Sequence, residues 1–253
     1  GRRLDVALYL PRDPVGCREN NMEGWRYALS EYSYSDYSDY TDVYEFGVYT
    51  GASLNWINAA VDKSNYYGRR DIRKIFGFDS FCGLPPETED ERVEAISNGD
   101  EFQWKAGDFN SQEHFNTDSI EATMKSVRDF VEPNLDEKTC LELIPGYFSD
   151  SLSDDIVEKY DMKPACYVDL DADLYSSTID ALDFMFRNKL IRVGTLIGYD
   201  DWGGTPKWKE LEDGVSKAHL EIMHKYGVKL DMLRIFGQAY PHVHTIFLVR
   251  SIR

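Results

Sequence analysis

Apolar residues along this chain fall into short dense runs, and longer stretches between them carry apolar positions at helical spacing. The run Asp42–Phe46 is interrupted by Gly47 and Gly51, after which Leu54, Ile57 and Val61 recur every three to four residues. Residues 74–78 predict a second strand ending in Asp79, and Ile120, Met124, Val127 and Val131 form a helical stripe. Residues 141–144 predict a third strand closed by Pro145-Gly146, and Ala165–Leu170 a fourth. Ile179, Leu182 and Phe186 mark a helix with Ser176 or Ser177 as its cap, followed by a fifth strand at 193–199. Thr205-Pro206 opens a further helix, the threonine as cap and the proline in the first turn. Two strands near 229–236 and 243–249 end the pattern with no helical spacing between them, which predicts a hairpin and so one antiparallel strand. Such alternation predicts an α/β fold, a mostly parallel sheet with helices on both faces.

The chain of 253 residues is long enough for one large domain, read here as 42–253, preceded by an N-terminal helical or lid segment at 1–41. The junction, residues 30–42, is rich in Tyr, Ser and Asp and reads either as a solvated loop or frayed helix end or as a lid over a polar ligand. A net charge of −17 argues against nucleic acid as partner, because phosphate binding needs a basic face. No apolar run approaches the ~20 residues of a membrane span, and no basic amphipathic stretch suggests a membrane anchor. The opening Gly-Arg-Arg-Leu-Asp has no apolar leader, and Cys17, Cys82, Cys140 and Cys166 form no CxxC pair. These features predict a cytoplasmic protein with isolated core thiols rather than nucleophiles.

Four segments bring chemistry to strand ends. In Val43-Tyr-Glu-Phe-Gly-Val-Tyr-Thr-Gly51 an acid ends a strand, and two glycines four apart lead into a helix. Glycine allows backbone to approach a ligand at the carboxyl edge of a sheet. The pattern is not GxGxxG, so it suits a nucleoside without phosphates better than a dinucleotide, although it also serves as a plain strand–helix turn. In Phe76-Gly-Phe-Asp-Ser-Phe-Cys-Gly-Leu-Pro85, Asp79 is placed to accept both hydroxyls of a ribose, or to end its strand in an Asx turn. In Val168-Asp-Leu-Asp-Ala-Asp-Leu-Tyr175, Asp169, Asp171 and Asp173 alternate, which in a continuing strand puts them on one face. Asp200 and Asp201 end the following strand. Carboxylates crowded at neighbouring strand ends repel unless a cation neutralises them or one stays protonated, and an all-oxygen set predicts Mg²⁺ or a similar hard ion. Lesser candidates are the alternating His242 and His244, residues 105–109 near a purine or as a plain turn, and Trp202 as a sugar-stacking or packing ring.

The blocks VYEFGVYTG, FGFDSFCGLPP, GYFSDSL, DADLYSST and LIGYDDWGG, in this order and spacing, resemble the macrocin O-methyltransferase family, class I enzymes that depend on S-adenosylmethionine and act on sugar hydroxyls of natural products. The resemblance implies a Rossmann-like, doubly wound, seven-stranded sheet. It implies that Glu45, Gly47, Val48, Tyr49, Thr50, Gly51, Asp79, Ser80 and Phe81 bind the cofactor, with Asp79 on the ribose. It implies Asp171, Asp200 and Asp201 as ligands of Mg²⁺ and Asp173 as general base. The expected partner is a small-molecule acceptor bearing hydroxyls, and a homo-oligomer is compatible with this. Asp169 stands where the family often has histidine, and the first forty residues match no block, so the acceptor is not implied. Rival readings are a glycosyltransferase using Asp171-Ala-Asp173 as a DxD pair, an aspartyl phosphatase using Asp169 and Asp171, and an S-adenosylmethionine-binding protein without turnover.

Overall fold

The computed structural model describes residues 39–55, 72–86, 105–200, 202, 214–236 and 244–253. Seven strands form one sheet: β1 (Asp42–Phe46), β2 (Lys74–Asp79), β3 (Cys140–Pro145), β4 (Ala165–Leu170), β5 (Leu196–Tyr199), β6 (Lys229–Phe236) and β7 (His244–Ser251). Their order is β3-β2-β1-β4-β5-β7-β6. Only β7 runs against the rest, pairing antiparallel with both β5 and β6. The expected α/β sheet and its one antiparallel strand are therefore present.

The central strands are apolar almost throughout because helices cover both of their faces. All five residues of β1 and all six of β4 are buried. Tyr44 and Phe46 of β1 lie opposite Phe76 and Phe78 of β2, and the two ring pairs stack at 5.0 and 4.7 Å. Each such pair adds roughly 0.5–1.5 kcal/mol beyond the area it buries. Helix α1 (Ile120–Val131) buries Thr123, Val127 and Val131 and is capped by Ser119, whose side chain accepts from the Ala122 N–H. Helix α2 (Tyr175–Arg187) buries Ala181, Leu182, Phe184 and Met185 and packs on α3 (Gly214–Lys225). Leu174 occupies the N-cap position of α2, and Ser177 lies in the first turn, so neither expected serine caps this helix.

At the amino edge of the sheet, buried Asp42 accepts from the Arg73 guanidinium and from the Lys163 N–H at 2.9 Å. At the carboxyl edge the ladder continues past the strands. Gly146 N–H donates to Asp79 O, Gly47 N–H to Phe78 O and Asp171 N–H to Phe46 O, each at 2.9 Å; Asp200 N–H donates to Leu170 O at 3.1 Å. Four loop starts are thus held side by side along one edge.

Among the described residues no helix is long and apolar enough to cross a membrane. Cys166 is buried as expected, Cys82 is half-buried, and Cys140 is exposed on edge strand β3, against the expectation of core thiols. Cys17, Thr205, Pro206, His242, most of the 30–42 segment and nearly all of the 1–41 lid lie outside the described residues, as does the side chain of His244.

Candidate active site

A cavity of about 420 Å³ opens on the stitched carboxyl edge. Gly47, Tyr49, Asp79 and Ser80 line one side, and Asp171, Asp173, Asp200 and Ser177 the other. Gly83, Leu84, Pro85, Phe109, Tyr147 and Phe148 complete the wall.

Gly47 is the pivot between the two sides. Its φ is +99°, and a Cβ there would stand 1.9 Å from the Asp171 carbonyl oxygen, so only glycine fits this crossing. Gly51 serves packing instead: a Cβ would meet Val131 at 2.8 Å and Val127 at 3.0 Å on α1. The two glycines of the turn therefore do different jobs.

Asp79 is held by main chain on three sides. Its Oδ2 accepts from the N–H groups of Val48 and Tyr49 at 2.8 and 2.9 Å, and its Oδ1 from Phe81 N–H at 2.6 Å. Asp79 borders the cavity, and desolvation pushes its pKa up against the pull of these three bonds. Val48 and Phe81 contribute these N–H groups while their side chains are buried in the core. Ser80 donates to Gly83 O at 2.6 Å, fixing the loop that follows. That loop is clasped by the next segment: Leu84 N–H donates to Asp108 O and Gly107 N–H to Leu84 O, both at 2.9 Å. A Cβ on Gly83 would lie 2.5 Å from Gly107 O.

Glu45 lies beneath this surface, fully buried, outside the cavity lining. Ser53 donates to its Oε1, and its Oε2 finds no hydrogen-bond partner among the described residues. Burial first and the facing Asp169 second push its carboxyl well above the usual range. Thr50 sits in the turn without lining the cavity.

The alternation of Asp169, Asp171 and Asp173 does not put them on one face. The strand ends at Leu170, so Asp169 points into the core, 3% exposed and accepting from Tyr167 OH at 3.0 Å, while Asp171 and Asp173 line the cavity. Asp173 has φ +57°, and Tyr49, Phe81 and Phe109 around the same cavity also lie in the left-handed region. Such conformations cost about 1–3 kcal/mol each and persist where surrounding structure imposes them. Asp200 lines the cavity beside Asp171, because its N–H is tied to the residue preceding Asp171. Asp201 lies outside the described residues, and among those described no cluster of three or more acids, histidines or cysteines is arranged to hold a metal. Trp202 packs in the core, 5% exposed, against Tyr199, His219 and Phe247.

The sequence assigned no role to Tyr147, Phe148, Ala172 or Ser177, which also line the cavity. The blocks containing them were legible, but their direction depends on where each strand stops. At the mouth, Tyr49 meets Phe109 edge-on at 5.8 Å and His114 at 5.5 Å, which sets the 105–109 turn on the cavity rim.

The strand order and a site on the carboxyl edge are those of a Rossmann-like fold. The family of macrocin-O-methyltransferases (TylF) matches residues 40–235, and the chain belongs to it. It is accordingly an S-adenosylmethionine-dependent O-methyltransferase, which sets aside the glycosyltransferase and phosphatase readings. Among solved structures, the O-methyltransferase NovP is similar at a TM-score of 0.57 and 19% identity, over 92% of this chain and 80% of that one. CalS11, a calicheamicin methyltransferase, is similar at 0.54 and 17%, over 90% and 76%. At these identities the likeness carries the fold. No curated protein sequence matches the chain.

Proposed function

We propose that the chain methylates a hydroxyl of a sugar or other vicinal diol on a small natural product, using S-adenosylmethionine and Mg²⁺. The observation that carries this reading is one cavity with a main-chain-held carboxylate, Asp79, at one side and Asp171, Asp173 and Asp200 at the other. The types of donor that line the cavity suit the chemistry of both groups. Four carboxylates and no cationic side chain line the cavity among the described residues, which favours a positively charged sulfonium. Asp79 would hold the ribose, with Gly47, Tyr49 and Ser80 beside it; the oxygen donors of Asp171 and Asp200 suit a hard divalent cation, for which Asp201, outside the described residues, would be a further ligand.

When bound, the cofactor supplies an electrophilic methyl group, and Mg²⁺ supplies a Lewis acid that lowers the pKa of a coordinated hydroxyl. Asp173 would take the hydroxyl proton on its carboxylate while the oxygen accepts the cofactor's methyl group, with S-adenosylhomocysteine as leaving group. Asp171 and Asp200 orient the diol for in-line approach, and the strained backbone of Asp173 fixes its direction. The similar CalS11 is a calicheamicin methyltransferase, which supports a natural-product acceptor.

Methyl transfer from labelled S-adenosylmethionine to a library of vicinal diols, with EDTA and with Mg²⁺ restored, tests the reading. Loss in chelator and recovery with Mg²⁺ is the expected result. Full activity in EDTA removes the metal from the proposal, and no turnover with any diol while S-adenosylhomocysteine still binds removes the diol acceptor.

A further inference from the structure

Beneath the acidic side of the cavity lies a polar pair that the reaction does not use. Tyr199, the last residue of β5, is fully buried, and its hydroxyl is hydrogen-bonded to Nδ1 of His219 on α3 at 2.7 Å. Trp202 lies three residues further on and meets the same imidazole edge-on at 4.9 Å. Phe247 of β7 backs the cluster, 4.8 Å from His219 and 4.7 Å from Trp202. The residues immediately before Asp200 and immediately after Asp201 therefore both converge on His219.

An apolar pair would fill this space at less cost, because a buried phenol and imidazole must each recover the hydrogen bond they lost to water. A hydrogen bond adds direction, which dispersion contacts do not. It fixes the Tyr199 ring in its slot at the end of the strand, and with it the backbone from which the Asp200 carboxylate projects. Across that backbone the Asp200 N–H is tied to Leu170 O at 3.1 Å, so the turn is held from the neighbouring strand and from below. Burial pushes the His219 pKa down to about 3, so the imidazole is neutral throughout the ordinary working range and the bond does not titrate there.

We propose that His219 is a positioning residue for the metal-holding turn, acting through Tyr199 and Trp202 to aim Asp200 at the cation. The inference rests on the Mg²⁺ reading above. Groups that orient a metal ligand from behind are commonly worth about 10–100-fold in metal affinity.

The test compares the wild-type chain with Tyr199→Phe, His219→Leu, His219→Gln and the Tyr199→Phe/His219→Leu double variant. Mg²⁺ affinity is measured by calorimetry with S-adenosylhomocysteine present, and the melting temperature and S-adenosylhomocysteine affinity are measured in parallel. Tyr199→Phe and His219→Leu should each weaken Mg²⁺ by about tenfold or more, leave S-adenosylhomocysteine binding within about twofold, and not add in the double variant. His219→Gln keeps a hydrogen-bonding group for Tyr199 and should recover most of the Mg²⁺ affinity. Unchanged Mg²⁺ affinity in Tyr199→Phe, or a joint fall of both ligands with melting temperature, overturns the inference by making the pair plain core. A wild-type chain that takes up no Mg²⁺ defeats the metal reading itself, and the inference with it.

Discussion

The two sides of the cavity are built on opposite principles. On the β1–β2 side the backbone comes to the carboxylate: three N–H groups converge on Asp79. On the β4–β5 side it is the main chain of the acids that is tied, Asp171 to Phe46 and Asp200 to Leu170, which sets several like charges around one space. The first side is held by backbone in the folded chain. The second brings Asp171, Asp173 and Asp200 around one space, where the proposed cation would sit. Removing the first carboxylate strands three N–H groups, whereas the like charges of the second side repel one another.

The largest expected effect separates chemistry from binding. Asp173→Asn should lose ~10²–10⁴-fold in turnover while Mg²⁺ and S-adenosylhomocysteine bind as in wild type. Partial rescue by high Mg²⁺ would make Asp173 a ligand, and a greater loss in Asp169→Asn with metal binding unchanged would move the base into the core.

Next is Asp79→Ala, which should weaken S-adenosylhomocysteine by more than about tenfold. It also strands three N–H groups, so the ligand-free protein should melt several degrees lower, at ~1–3 kcal/mol per unsatisfied buried group. Asp200→Asn should do the reverse: Mg²⁺ affinity falls, S-adenosylhomocysteine binds normally, and the metal-free melting temperature holds or rises. A drop in melting temperature as large as that of Asp79→Ala would erase the contrast between the sides.

A smaller effect is read from pH. The pKa of His219 is lowered from 6.5 to about 3, so the unfolded chain takes up a proton that the folded chain refuses. Stability from this group is present above the unfolded value and is lost as pH falls from about 6.5 towards 3. The raised carboxyls of Glu45 and Asp79 act oppositely: the folded chain holds their protons more tightly, so they cost stability as pH rises above the ordinary carboxylate range. His219→Gln should flatten the acid side of a melting-temperature profile. Glu45→Gln should raise the neutral-pH melting temperature by a few degrees, and an unchanged profile in either variant would remove that group from the account.

Central strand positions were legible because such strands are largely apolar runs: β1 and β4 fall where the pattern puts them, as does the edge strand β6. The reversal of β7 was legible from the missing helix. Ends were less so. The pattern carries Asp169 and Asp171 along one face, but hydrogen bonding stops at Leu170, and a single residue of difference sends one acid into the core and the other into the cavity. The α2 cap was misread because serine is a good cap in general, while here the chain enters the helix one turn earlier, through Leu174. The Tyr199–His219 bond joins residues 20 apart on different elements, a proximity that no local pattern encodes.

The crossing at Gly47 has a bearing on redesign. Because a Cβ there would fall 1.9 Å from the Asp171 carbonyl, the loops after β1 and β4 touch backbone to backbone, with no side chain between them to absorb a change in either. On the proposed reading, the β4 loop cannot then be grafted as a separate module to alter acceptor preference. A transplanted loop that lifts the main chain at Asp171 pushes on Gly47, and through the turn onto the amides that hold Asp79. Swaps that carry both loops from one donor keep this joint intact; swaps that carry one should forfeit cofactor affinity even where the new acceptor fits.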